Sequence, residues 1–335
     1  MGRMAMRTAV CSGGGGLQRR FRLVLLSCAC AIPVGAAPGP PAPPGEVNAL
    51  ILELGAEVFA VRDGADRKLL ELGKDVLPAL LEAARSSDSP EIRVRSRTLV
   101  AKIRSRVLRS EFELMGRQDD NELDVEKAMW VIALFLDPDL DREVLTGKLD
   151  AMAAAVRKRI GRKVKPADLP PEKAMTALVT ALRDDFGLAG DRATYQHPDN
   201  SSTHRVILRR KGLPIALSEI AVAVAGRLDL PVVGLGIPGR YMIKYDGARG
   251  PAAPDREDVI INPFEGWRRM TVAELSRNVG GFDPDEHLVK CPPRETILRM
   301  MRNMENHALV TGREDLVEAI RGCYELVDPD RLRFR

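Results

Sequence analysis

The side chains with chemical potential are few and scattered along this sequence. Cys291 and Cys323 offer thiols. His197 and His204 fall in one polar loop, "TYQHPDNSSTHR". The other three of the five cysteines, Cys11, Cys28 and Cys30, fall in the first 37 residues, read below as a leader. Two remaining cysteines without clustered histidines make no metal site, so no metal is expected. The spacing of the cysteines compels no disulfide, and two buried free thiols are the plainer expectation. Arg240 stands directly after Pro238-Gly239 in "GLGIPGRYMIKYDG". It opens a segment, Arg240–Tyr245, that leans towards strand. A guanidinium stays protonated near neutral pH. It therefore serves as a hydrogen-bond donor to anions and not as a general base.

These residues need a scaffold, and the chain is long enough to build one. It has 335 residues, 45% of them hydrophobic and 29% charged, which fits a soluble globular protein. Only 4% are aromatic, so aliphatic side chains must fill most of the core. The first stretch reads as a secretory signal peptide, residues 1–37. It has arginines at 19, 20 and 22, the short apolar run "LVLLSCACAIPVG", and small residues around Ala36. That run is too short to span a bilayer as a helix, so no integral membrane span is expected once the leader is removed. The leader holds five arginines and no acid. Without it, 51 basic residues become 46 against 47 acidic ones. The apparent basicity belongs to the leader, and nucleic acid is not expected as a partner.

A Pro-rich linker, residues 38–45, precedes a series of short apolar-periodic helices over 46–110. Ser89-Pro90 opens the last of them. Its apolar residues Ile92, Leu99, Ile103 and Val107 share one face. Arg95, Lys102, Arg106 and Arg109 run beside that face, and the expected role of that stripe is a solvated surface. Residues 54–103 resemble a HEAT-like repeat. Further helices are expected over Glu122–Leu136 and Arg142–Ile160. Trp130 is assigned to the core. From Pro171 the pattern is mixed. A helix begins near Pro214, and strands are expected at "PVVGLGI", "RYMIKY" and "DVIINPF". Two helices close the chain, with Met300, Met301 and Met304 as packing residues.

Glu122–Met304 resembles the transglutaminase-like superfamily, in its bacterial SirB-type branch. The likeness is carried in order by "ELDVEKAMWVIALFLDPDLD", by "LRDDFGLAGDRATYQHPDNSSTHRVILRRKGLPIALSEIAVAVAGRLDLPVVGLGIPGRYMIKY", by "VIINPFEG" and by "HLVKCPPRETILRMMRNM". The resemblance implies an α+β protein. A helical-repeat N-terminal unit (46–110) would precede a papain/transglutaminase-like domain (111–282), made of a helical lead-in (111–167) and a core (168–282). C-terminal helices (283–335) would follow. It also implies a catalytic cysteine at the start of the central helix, a histidine at the next strand and an aspartate on the strand after. At those positions this sequence has Pro214, Arg240 and Asn262. The proline is shared with the branch; the other two are not.

Proline attacks nothing, and asparagine lacks the charge that stabilises an imidazolium. Ser218, one turn beyond Pro214, is the nearby hydroxyl. The leading expectation is an exported, non-catalytic binding or scaffolding protein of the periplasm or cell envelope. Ser218, Arg240 and Asn262 would form a remnant pocket for a small anion, and a protein or peptide partner is compatible with it. No cofactor is expected. One rival is a cysteine-independent hydrolase or acyltransferase using Ser218. Another is a purely structural helical-repeat protein. Arg240 either receives an external anion or pairs internally with an acid such as Glu219 or Glu265.

Overall fold

The computed structural model describes residues 43–161, 163–246 and 259–328. The signal peptide and most of the linker expected from the sequence lie outside these residues. Contacts group these described residues as one unit.

Four helices begin the described chain: α1 (Pro44–Glu53), α2 (Phe59–Leu72), α3 (Leu77–Ser86) and α4 (Pro90–Gly116). They enclose an apolar core that includes Leu54, Leu69, Leu80, Leu99 and Ile103. The start of α4 follows its sequence signal. Ser89 accepts from the Ile92 N–H at 3.4 Å, and Pro90 occupies the first turn. The helix runs past the expected end at Ser110 because no Gly or Pro interrupts it before Gly116. Its last turns deliver Phe112 and Met115 into a second core. The basic stripe is laced with acids: Arg95 bonds Glu91 and Asp66, both at 2.6 Å, and Arg109 bonds Glu113 at 2.9 Å.

The second core is larger. It gathers α5 (Val125–Ala133), α6 (Arg142–Ile160), α7 (Pro171–Thr180), α8 (Thr203–Arg209), α9 (Pro214–Gly226), α12 (Pro293–Val310) and α13 (Glu314–Val327). Two short helices, α10 (Val272–Asn278) and α11 (Pro284–His287), precede the last pair. The central element is α9. It is apolar nearly all round, and nine of its thirteen residues are buried, as an internal helix requires. Met300, Met301 and Met304 are buried on α12. Trp130 is half-buried and donates its indole N–H to the Leu140 carbonyl at 2.7 Å.

Two bridges, β1 (Ala189–Gly190) and β2 (Lys211–Gly212), pair in parallel. The main sheet is antiparallel, in the order β3 (Val232–Leu235), β4 (Met242–Tyr245), β5 (Ile260–Asn262) and β6 (Arg268–Met270). Its registers include Gly234 opposite Ile243 and Ile261 opposite Arg269. A strand at β6 was not expected, because Arg268-Arg269-Met270 carries two charges and no alternation; β5 recruits it as the sheet edge. The sheet begins β4 at Met242, so Arg240 and Tyr241 lie in its approach and not in the strand itself. Gly234 is required on β3. A Cβ there would stand 2.4 Å from the Tyr241 hydroxyl and 2.6 Å from a Glu219 carboxylate oxygen.

Candidate functional site

The start of α9 sets the site. Pro214 takes the first turn, and no side chain caps the helix. The Leu213 N–H donates to the Asn200 carbonyl at 3.1 Å and ties the preceding loop to this end. The chain returns past the same point through Ile237–Arg240. The Arg240 N–H closes that turn on the Ile237 carbonyl at 3.0 Å. Pro238 then Gly239, the latter at φ +64°, is the type II pattern, in which a left-handed residue is needed third. The turn aims Arg240 at the α9 start.

The guanidinium is not left alone. It donates to Glu265 at 3.1 Å, and Arg268 also approaches the Glu265 carboxylate, at 3.8 Å. Glu265 is set by Asn262, whose side-chain oxygen accepts the Glu265 N–H at 3.2 Å across the turn after β5. Of the two acids named from the sequence, Arg240 takes Glu265. Asn262 is buried and works as the clamp of that turn.

The loop before α8 supplies the next wall. Asp191 is buried. Burial alone would raise its pKa, but bonds from Thr194, from Asn200 and from the Arg209 guanidinium hold it at about 2. Asn200 donates to the Thr194 and Tyr195 carbonyls at 2.6 and 3.3 Å and accepts from Arg209 at 2.9 Å. This network fixes the loop that presents Tyr195, which is 45% exposed. Its ring meets Phe264 and His307 edge-on at 5.6 and 5.9 Å.

The far wall is α12. Glu295, Arg299, Arg302, Asn303 and Asn306 follow one another at three- and four-residue steps, apart from the adjacent pair 302–303. They form a polar stripe opposite the buried methionines. One Glu295 oxygen accepts from Arg299 at 2.8 Å and from Arg302 at 2.9 Å. The stripe, Tyr195, Pro214 and Arg240 line one cleft of about 360 Å³. Three arginines thus face one lining carboxylate.

Ser218 is not part of this cleft. It is fully buried, and its hydroxyl reaches the Tyr241 carbonyl at 3.5 Å. The expected convergence of Ser218, Arg240 and Asn262 is therefore only partial: Arg240 lines the cleft, Asn262 supports it from beneath through Glu265, and Ser218 lies inside the core. The reason is depth along the helix. Ser218 shares a face with Pro214 but stands one turn, about 6 Å, further into the core, where that face is covered.

No histidine lines the cleft. His204 contacts Asp137 at 2.9 Å, and Arg205 bonds the same carboxylate at 2.9 Å. His197 is exposed beside Asp199. His307 faces Ser201 at 3.2 Å. Burial lowers its pKa, against a hydrogen bond donated to the His197 backbone carbonyl that opposes the shift. Cys291 and Cys323 are free and buried, and burial pushes both thiols up, Cys323 to about 11. Among the described residues no cluster of three metal-ligating side chains occurs. No helix there is long and apolar enough to cross a membrane.

A second buried set underlies the cleft floor. The Tyr241 hydroxyl donates to Glu219 at 2.8 Å and lies 2.9 Å from the Thr296 hydroxyl. Desolvation raises Glu219 to about 7, with Tyr241 and Lys290 pulling the other way. Desolvation also raises Tyr241 well above its ordinary value.

The α12 stripe escaped sequence reading, because its period is that of any solvated helix face. The signal available was the pair Asn303 and Asn306, carboxamides placed where surface helices more often carry charge.

Residues 143–302 match the Transglutaminase-like superfamily, and the chain carries a domain of that kind. A UPF0162 protein of Xylella fastidiosa (strain 9a5c) is 29% identical over 206 residues, covering 59% of this chain and 69% of that protein. UPF0162 protein YchA of Escherichia coli (strain K12) is 30% identical over 98 residues, 29% of this chain and 34% of the relative. Human F-box only protein 21 is 26% identical over 166 residues, 48% of this chain and 26% of the relative. No solved structure matches the chain.

Proposed function

We propose that the transglutaminase-like domain is a non-catalytic binding module whose cleft receives a carboxylate-bearing ligand. One observation carries this: Arg240, Arg299 and Arg302 line a cleft whose only lining carboxylate is Glu295. Guanidinium forks match carboxylates in a bidentate way. The positions that the superfamily resemblance gives to cysteine, histidine and aspartate hold Pro214, Arg240 and Asn262, and none of these can run thiol chemistry. Ser218 is buried away from the cleft and from every histidine contact described above, which removes the support for a serine reaction there.

In the wider reading the domain is of SirB type, and α1–α4 form a HEAT-like scaffold. The ordered motifs over Glu122–Met304 support the first, and the shared apolar core of α1–α4 supports the second. The protein acts outside the cytoplasm, in the periplasm or cell envelope; the arginine-led apolar leader supports this.

Isothermal titration with glutarate tests the cleft. Arg240→Ala is expected to weaken binding at least fivefold. A glutamine-containing peptide is expected to release no ammonia. Unchanged affinity in the variant, or sustained ammonia release by the wild type, overturns the proposal.

A further inference from the structure

Four features of the cleft say what kind of carboxylate it takes. The first is charge. Arg299 and Arg302 both donate to a single Glu295 oxygen, so two guanidinium charges share one carboxylate. Arg240 spends one of its five N–H donors on Glu265, and Glu265 is itself shared with Arg268. A carboxylate entering between α12 and the Ile237–Arg240 turn meets unspent donors from two sides.

The second feature is neutral. The side chains of Asn303 and Asn306 make no hydrogen bond among the described residues, although both residues line the cleft. A carboxamide offers a donor pair and an acceptor, the complement of a peptide group. A simple anion uses only the donors. The two carboxamides are three residues apart on α12, about 4.5 Å along its axis, so one elongated ligand can meet both.

The third is Tyr195. Its hydroxyl has no hydrogen-bond partner among the described residues, and ring contacts alone hold the side chain at the cleft edge. Tyr195 combines an apolar face with a polar tip, the usual character of an anchor for a chain lying across a surface. The fourth is size. About 360 Å³ is at the small end for ligand pockets, so a short segment is admitted and a folded domain is not.

We infer that the cleft binds an acidic peptide segment, its Asp or Glu side chain on Arg240 and Arg302 and its backbone amides on Asn303 and Asn306. This rests on the carboxylate-binding reading above and adds the backbone to it. The α12 stripe is then the recognition surface, and specificity divides between charge and chain. A free dicarboxylate satisfies the arginines alone; the peptide satisfies both sets.

The probe is a fluorescein-labelled Gly-Glu-Gly-Glu-Gly peptide followed by anisotropy, beside the same peptide N-methylated along its backbone and glutarate as competitor. The peptide is expected to bind at least tenfold more tightly than glutarate. N-methylation, or the double variant Asn303→Ala/Asn306→Ala, is expected to remove that advantage while glutarate affinity stays within twofold. Equal affinity for peptide and glutarate, or indifference to both changes, overturns the peptide inference and leaves the carboxylate-binding reading standing. Binding of neither probe overturns both.

Discussion

The Arg240 guanidinium donates to Glu265 at 3.1 Å, and Glu265 is positioned by its own N–H on Asn262 at 3.2 Å. A carboxylate of the protein thus occupies part of the donor fork that the cleft would offer a ligand. The two side chains are 35% and 32% exposed, so the pair contributes at most about 1 kcal/mol to stability. Glu265→Gln is expected to leave the melting temperature nearly unchanged. Glutarate affinity is expected to rise severalfold, read by calorimetric titration. A fall in affinity would show that Glu265 orients Arg240 and does not compete for it.

Gly234 packs β3 against the Tyr241–Glu219 bond with no room for a methyl group. Gly234→Ala forces either the hydrogen bond or the strand to shift, at an expected cost of about 1–3 kcal/mol. Urea unfolding should show a lower midpoint at an unchanged slope. Stability equal to wild type would mean that the Tyr241 ring moves aside freely.

Glu219 links stability to pH. Its pKa rises from 4.5 to about 7 on folding. Between those values the folded protein holds a proton that the unfolded chain has released. Stability from this group is therefore greatest at low pH, falls as pH rises from about 4.5 to 7, and is level above. The full difference is about 3 kcal/mol. Glu219→Gln keeps an acceptor for Tyr241 and removes the titration. Urea midpoints at pH 5 and pH 8 should differ less in the variant than in the wild type, by an amount of this order.

His307 works in the opposite direction. Its pKa is lowered on folding, so below about 6.5 the unfolded chain takes up a proton that the buried imidazole resists. The stability it contributes is present above that pH and lost as pH falls. His307→Gln should lessen the acid-side loss without altering the Glu219 slope. Double-variant midpoints across pH 4.5–8 separate the two.

Much of this molecule was legible in its residues, and the exceptions share a cause. Ser89-Pro90 started α4 and Pro214 started α9, because N-terminal signals are local. Pro238-Gly239 marked the turn that aims Arg240 for the same reason. For Arg240 the residues left open an external anion or an internal acid such as Glu219 or Glu265. Choosing between Glu219 and Glu265 needs the path of the chain after β5, and Glu219 is already committed to Tyr241. Ser218 was placed one turn from Pro214, but a helix apolar on every side does not mark how far along it the cleft extends. The α12 wall comes from a segment some sixty residues beyond Arg240. Nothing in its own period announces what it faces.

Helix α4 has one more consequence. Its first turns fill one apolar core with Leu99 and Ile103, and its last turns fill the other with Phe112 and Met115. Melting either core leaves half of a 27-residue helix without the packing that sustains it. The two cores are thereby thermodynamically tethered, and a wound placed in the N-terminal helices is felt as lost cooperativity at the far end, under the very sheet that carries the Arg240 turn.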